Sequence, residues 1–171
     1  MTFDPWIAHP GYNWRLAQTQ DIQEILDIAE THFIHEIDQL IKTDRLYYAW
    51  QLDKAIVNQR HNLASEQITV ACDNHTGEIK AYAWISRGQN MPYSQDELAE
   101  AKILHMDLSL SLRTRLSLTV QALINWENWA RACAIPVLVS ASIREDQKGF
   151  MRLHTKLGYT VRGSIGYKRL H

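Results

Sequence analysis

Cysteine is nearly missing from this chain of 171 residues: only Cys72 and Cys133 occur. Neither stands at metal-ligand spacing, and two thiols cannot make the disulfide framework of a small secreted domain, so a reduced intracellular protein is expected. Long apolar runs are missing too, which leaves no segment of membrane-spanning length. The opening M-T-F-D-P-W-I-A-H-P-G has no basic stretch followed by an apolar one, so no secretory leader is expected. Charge of one sign is also lacking. With 18 Lys and Arg against 19 Asp and Glu, the net charge of -1 carries no footprint for nucleic acid or an anionic membrane. No internal repeat or low-complexity tract occurs. The nucleophile elbow G-x-S-x-G is absent. H-F-I-H-E (His32–Glu36) sets two histidines three apart on a helix, not in the H-E-x-x-H zinc pattern, and reads as helix surface. A hydrolase of either kind therefore has no support.

What remains is an ordinary globular composition, 46% hydrophobic and 22% charged. One domain spanning residues 1–171 accounts for it. Tyr12–Ala17 alternates like a strand. Thr19 is a plausible N-cap for a helix with Ile22, Ile25, Leu26, Ile28 and Ala29 on one face. A second helical region spans about Ile37–Asn58. Gln67–Asp73 and Ile79–Ser86 read as strands of a hairpin turning at N-H-T-G-E, and the polar loop Arg87–Glu97 follows. The six tryptophans, at 6, 14, 50, 84, 126 and 129, read mostly as core.

The C-terminal third carries the strongest pattern. Ala101–Leu112 alternates as a strand, with His105, Asp107, Ser109 and Ser111 sharing one polar face. That face either lines a cleft or is a solvated sheet edge, and a central strand favours the cleft. Thr114–Cys133 has helical periodicity. Its start offers unpaired amides and a positive dipole end, flanked by Arg113 and Arg115, which suits a phosphorylated ligand. Ile135–Ser142 is a buried strand and Lys148–Leu157 a short helix stopped by Gly158. Tyr159–Leu170 reads as a hairpin turning near Gly163 and Ser164.

This order of elements, together with R-L-H-T-K-L-G-Y (Arg152–Tyr159), resembles the GNAT superfamily of N-acetyltransferases. The resemblance implies an α/β (mixed α+β) fold, with a mostly antiparallel sheet of six or seven strands flanked by helices. It also implies acetyl-CoA as acyl donor and a small-molecule amine or a protein as acceptor. In the family, the turn after the fourth strand carries Q/R-x-x-G-x-G/A. Matching the W-A-R phrase (Trp129–Arg131) sets Thr114, Ser117 and Thr119 on those positions, so the glycines are absent. In the register one residue away, Leu116 and Leu118 would face the phosphates. The pyrophosphate is then expected on the amides of Arg115–Thr119, with Arg113 and Arg115 contributing charge. The alternative is that Thr114 merely caps the helix and the arginines are solvated. Amides around Leu108, Ser109 and Leu110 would polarise the thioester carbonyl. Gln147 takes the family's Asn position near the cofactor.

His154 takes the position of the family's usual acidic Tyr and would protonate the departing thiolate, unless it is an ordinary histidine on a half-exposed helix face. His105 or Asp107 would receive the amine proton. G-F-M-R-L-H-T-K-L-G-Y-T-V-R-G-S also resembles phage-encoded GNAT-like proteins. That implies an alternative, a degenerate member without catalysis that binds a protein partner in a virion-associated or host-modulating role. A cytoplasmic location is expected, and either a homodimer or a protein complex is compatible with the sequence.

Overall fold

The structure is a computed structural model that describes residues 10–36, 40–88, 90–144, 147–163 and 166–170. The element order is β1 (Tyr12–Leu16), a 3-10 turn at Thr19–Asp21, α1 (Ile22–Phe33), α2 (Arg45–His61), β2 (Glu66–Asp73) and β3 (Ile79–Arg87). It continues with β4 (Leu98–Met106), α3 (Leu112–Ala132), β5 (Val137–Ser140) and α4 (Lys148–Lys156). The strands form one sheet in sequential order, β1-β2-β3-β4-β5. The first three pairings are antiparallel and β4–β5 is parallel. No helix among the described residues is long and apolar enough to cross a membrane.

Helices cover both faces because both faces are apolar. Ile25, Leu26 and Ala29 of α1 pack with Leu52, Ala55 and Ile56 of α2 on Ile68, Val70, Tyr82 and Trp84 of the sheet. On the other face Ala122, Leu123, Trp126 and Trp129 of α3 cover Ala83, Ile85 and Ala99, and Leu118 meets Ala71, Ala81 and Met106. Each fully buried Leu in these layers contributes about 1.5–3 kcal/mol. β1 is tied to the start of α1 by Arg15, whose guanidinium holds the buried Asp21 through two bonds of 2.6 and 2.9 Å.

Among the described residues the sheet has five strands rather than the expected six or seven. Tyr159–Leu170 contributes no strand among its described residues, and the expected turn at Ser164 lies outside them. β4 starts and ends earlier than expected. It stops at Met106 because Asp107 accepts the amide of Ser109 at 2.9 Å and its hydroxyl at 2.6 Å, which folds the chain into a turn. Asp107, Ser109 and Ser111 therefore do not extend the face of His105. α3 begins at Leu112, capped by Ser111, whose Oγ accepts the Thr114 amide at 3.1 Å. α2 begins only at Arg45, after Asp44 accepts the Tyr47 amide at 2.9 Å. The expected start at Ile37 lies outside the described residues, as does Trp6. Trp50, expected in the core, is 55% exposed.

Candidate active site: the divergence of β4 and β5

β4 and β5 pair over only four residues, from Leu98↔Val137 to Ala101↔Ser140. The next residue of β4, Lys102, is an extra one against β3, since Trp84 faces Ile103 while Ile85 faces Ala101. Such a bulge bends a strand and breaks its pairing. Beyond it β4 follows β3 while the chain after β5 turns away. Among the described residues the edge of β4 from Lys102 onward has no strand partner. The opening is a cleft of about 880 Å³, within the range of small-ligand sites. It is floored by β4 and walled by α3, α4 and the segment Ala141–Arg144.

Side chains alternate across β4, so the cleft has two chemically different sides. Leu104 and Met106 point toward α3. His105 points toward α1 and α2 and is 3% exposed. Its Nε2 lies 2.7 Å from Oε1 of Glu36, and its Nδ1 lies 2.7 Å from the Tyr82 hydroxyl, which is 3.0 Å from the hydroxyl of Tyr48. A carboxylate only accepts hydrogen bonds, so His105 donates from Nε2 and accepts at Nδ1 from Tyr82. His32 stacks on His105, with ring centres 4.3 Å apart and planes 11° from parallel. Arg144 Nη1 donates to Nδ1 of His32 at 3.0 Å, which leaves the proton on Nε2, 2.7 Å from the Met106 carbonyl. The Met106 amide, 3.2 Å from that same nitrogen, is the weaker contact. Glu36 and Arg144 also form a backbone bridge across the end of the cleft.

These contacts set the charges. Burial, the neighbouring His105 and the Arg144 cation push His32 down to about 4, so it is neutral at physiological pH. Burial alone would raise Glu36. The hydrogen bond from His105, with the electrostatic influence of His105, His32 and the Arg144 cation, outweighs it, and the carboxyl is held below its ordinary range. Burial raises the phenols of Tyr48 and Tyr82, so both stay protonated. His32, Glu36 and His105 could hold a metal by proximity, their donor atoms lying within 4.8 Å of one another. Their arrangement argues against one. The ring nitrogens are already engaged, face-to-face rings do not converge their in-plane lone pairs, and the Arg144 cation occupies the same corner.

On the α3 side, Leu112, Arg115, Leu116 and Thr119 line the cleft at helical spacing. Arg115 brings a buried Nε with no hydrogen-bond partner, a donor suited to an anion. Thr114, Ser117 and Leu118 are buried in the packed face instead, and Thr114 Oγ1 bonds Ser111 at 2.9 Å. The amides of Arg115–Thr119, expected to hold pyrophosphate, are spent inside the helix; that of Arg115 bonds Ser111 O. The amides without an intrahelical acceptor belong to Leu112 and Arg113. Coenzyme A fits this site at the level of donors: a helix start and Arg115 for phosphate, and an open strand edge for the amide-bearing arm.

Of the other expected residues, Leu108 and Gln147 line the cleft, while Ser109, Leu110, Arg113 and Asp107 do not. Asp107 bonds Ser109 and, at 3.1 Å, Lys80. In the turn at Leu108–Leu110 the Ser109 amide is spent on the Asp107 carboxylate and the Leu110 amide on the Asp107 carbonyl, whereas the edge of β4 after Lys102 has no strand partner among the described residues. His154 is 2% exposed rather than half-exposed. Its Nδ1 donates to Phe150 O and its Nε2 accepts from Ser140 Oγ, both at 2.9 Å, and burial lowers its proton affinity. It is neutral, fully bonded and off the cleft wall, which leaves no proton for a thiolate. His32 is buried rather than on the surface. Tyr82, Tyr48 and Arg144 carried no signal in the sequence, and His32 and Glu36 read as helix surface. The one signal was the i, i+4 spacing of His32 and Glu36, hidden by the His32–His35 pair.

No protein-family model and no curated protein sequence matches the chain. Solved structures do. The aminoglycoside N-acetyltransferase AAC(6')-Iy in complex with CoA matches with a TM-score of 0.68 at 9% identity, over 92% of this chain and 93% of that one. An acetyltransferase of Trypanosoma brucei matches with 0.64 at 15%, over 93% and 99%. The ribosomal-protein-alanine N-acetyltransferase of Brucella melitensis matches with 0.65 at 11%, over 94% and 99%. Five strands in this order, parted between the fourth and fifth, give the chain the fold of the GNAT N-acetyltransferases.

Proposed function

We propose that the protein transfers an acyl group, most simply acetyl, from acyl-CoA to a primary amine of a small molecule or a protein. The observation that carries this reading is the parting of β4 from β5 at Lys102, with an ionised carboxylate, Glu36, on the side opposite α3. Bound acyl-CoA would supply a thioester whose acyl carbon accepts the amine. The phosphates belong with Arg115 and the first amides of α3, and the amide-bearing arm with the open edge of β4. A free amide on that edge stabilises the developing oxyanion. Glu36 attracts the ammonium form of the acceptor and takes its proton, because an amine must lose one to become a nucleophile. The N–C bond forms, the nitrogen gives up its second proton to water as it becomes an amide, and the C–S bond breaks. A thiol has a reference pKa near 8.5, so the thiolate departs near neutral pH and takes its proton from water without a dedicated acid.

Calorimetric titration with acetyl-CoA is the first test, followed by acetylation of a panel of primary amines. Glu36→Gln keeps the shape and removes the base. It should lower kcat/KM about 10²-fold while leaving acetyl-CoA affinity within about twofold. Unchanged turnover in that variant would remove Glu36 from the chemistry.

A second reading is a GNAT-fold protein that binds a protein partner without catalysis, as a phage-encoded member would. It is favoured by α2, which exposes Leu46, Tyr47 and Trp50. Undetectable acetyl-CoA binding would promote it.

A further inference from the structure

We propose that His105 is a positioning residue, oriented by Tyr82 so that its Nε2–H holds one oxygen of Glu36 and leaves the other for the acceptor amine. This rests on the reading that Glu36 serves that amine. The argument starts from an expensive arrangement. Three polar side chains, Tyr48, Tyr82 and His105, run through the apolar layer between the sheet and α1–α2, where Phe33 packs edge-on to both Tyr48 and His105. A buried polar group without a partner costs about 1–3 kcal/mol, so such a chain persists only when every member is satisfied.

Here the bonds run one way. Tyr48 donates to Tyr82, Tyr82 to His105 and His105 to Glu36, over 3.0, 2.7 and 2.7 Å. The direction follows from the ends: the carboxylate accepts only, and each hydroxyl has one proton. Glu36 requires a donor at Nε2, which leaves a buried lone pair on Nδ1, and the Tyr82 hydroxyl supplies the proton that nitrogen needs. Without that hydroxyl Nδ1 would be buried without a partner and the ring would lose the bond that holds its Nε2–H on the carboxylate. The His32 ring lies flat on His105 and is itself fixed by Arg144 and the Met106 carbonyl. His105 therefore cannot swing away. Among the described residues, the charged and titratable groups facing Glu36 are His105 from β4, His32 from α1, Arg144 after β5 and the phenols of Tyr48 from α2 and Tyr82 from β3.

The test reads the carboxylate directly. Protein labelled with ¹³C at the glutamate carboxyl is titrated by NMR, and the Glu36 resonance is assigned by its loss in Glu36→Gln. Tyr82→Phe removes one buried oxygen and should raise the proton affinity of Glu36 about tenfold. His105→Leu should do the same. His105→Gln, whose amide nitrogen stands close to where Nε2 was, should keep most of the wild-type value. Where turnover is measurable, the acid limb of kcat/KM should move up with the NMR midpoint, and kcat should fall about tenfold with the acetyl-CoA KM unchanged. Wild-type titration of Glu36 in both Tyr82→Phe and His105→Leu overturns the proposal. Should His105→Leu fail to fold, Tyr82→Phe decides alone. The NMR arm needs no catalysis, so absence of acyl transfer by the wild-type protein rejects the function and an unmoved midpoint in the variants rejects the positioning role.

Discussion

A buried histidine acts as a reagent or as part of the core according to where its nitrogens are spent. His105 and His154 are both nearly inaccessible, at 3% and 2% exposure. His105 gives its N–H to a carboxylate on the cleft wall. His154 gives its own to a carbonyl of its own helix and takes the Ser140 hydroxyl, with Phe150 and Tyr159 packed edge-on around the ring. It is a tie between α4 and the end of β5. His154→Ala should cost about 2–4 kcal/mol of stability, from the cavity and the unpaired Ser140. Turnover per folded molecule should be nearly unchanged. Denaturation of both proteins in urea, beside kcat measured well below the transition, checks this. A drop in kcat without a stability loss would return His154 to the chemistry.

At the scale of elements, the junction between β4 and α3 decides what the cleft can hold. The alternating run Leu108–Leu112 would make a strand if pattern alone acted. Instead Asp107 and Ser111 capture nearby amides, and these local bonds outcompete the ladder. The helix thereby starts at Leu112 and turns Arg115 rather than Ser117 to the cleft. Ser111→Ala should lose the cap and about 1 kcal/mol of stability. Arg115→Glu should weaken acetyl-CoA binding, and the loss should shrink as salt rises, because an unshielded like charge is screened over about 10 Å at 0.1 M. Calorimetry at two salt concentrations reads both changes. Equal affinity in wild type and variant would remove Arg115 from the phosphate site.

For the whole molecule, the buried histidines make stability depend on acid. His32 has a folded value of about 4 against 6.5 when unfolded, and burial lowers His154 in the same direction. Above about pH 6.5 neither state binds these protons, so the histidines add no pH dependence there. As pH falls below 6.5 the unfolded chain is protonated first, and stability declines until the folded value is reached. His32 alone contributes on the order of 2–3 kcal/mol of loss by pH 4, after allowance for partial screening. Glu36, held low when folded, adds its loss below its ordinary range. Urea midpoints should therefore drop between pH 7 and pH 5, and His32→Gln should flatten that slope. An unchanged midpoint over this range would mean that His32 titrates normally.

The order of elements from β1 to α4 was legible in the sequence, because apolar periodicity is a local property, while the flanking of the sheet by helices followed from the family resemblance. Leu118, Leu123 and Trp126 recur at helical spacing and are buried. Gly158, read as a helix stop, has φ +90°, a conformation that side chains disfavour. The alternation of Leu104 and Met106 likewise marked a strand, and His105 was legible as a cleft residue. Its partner was not. Glu36 lies 69 positions away and Arg144 reaches His32 across 112, and no spacing rule spans such separations. The end of β4 was misread because a side chain bonding its own backbone leaves the hydrophobic pattern intact. Sequence determined which residues were apolar and where helices and strands would form. Only the tertiary structure decided which polar groups met, because a hydrogen bond depends on ångströms between residues that the chain's order leaves far apart.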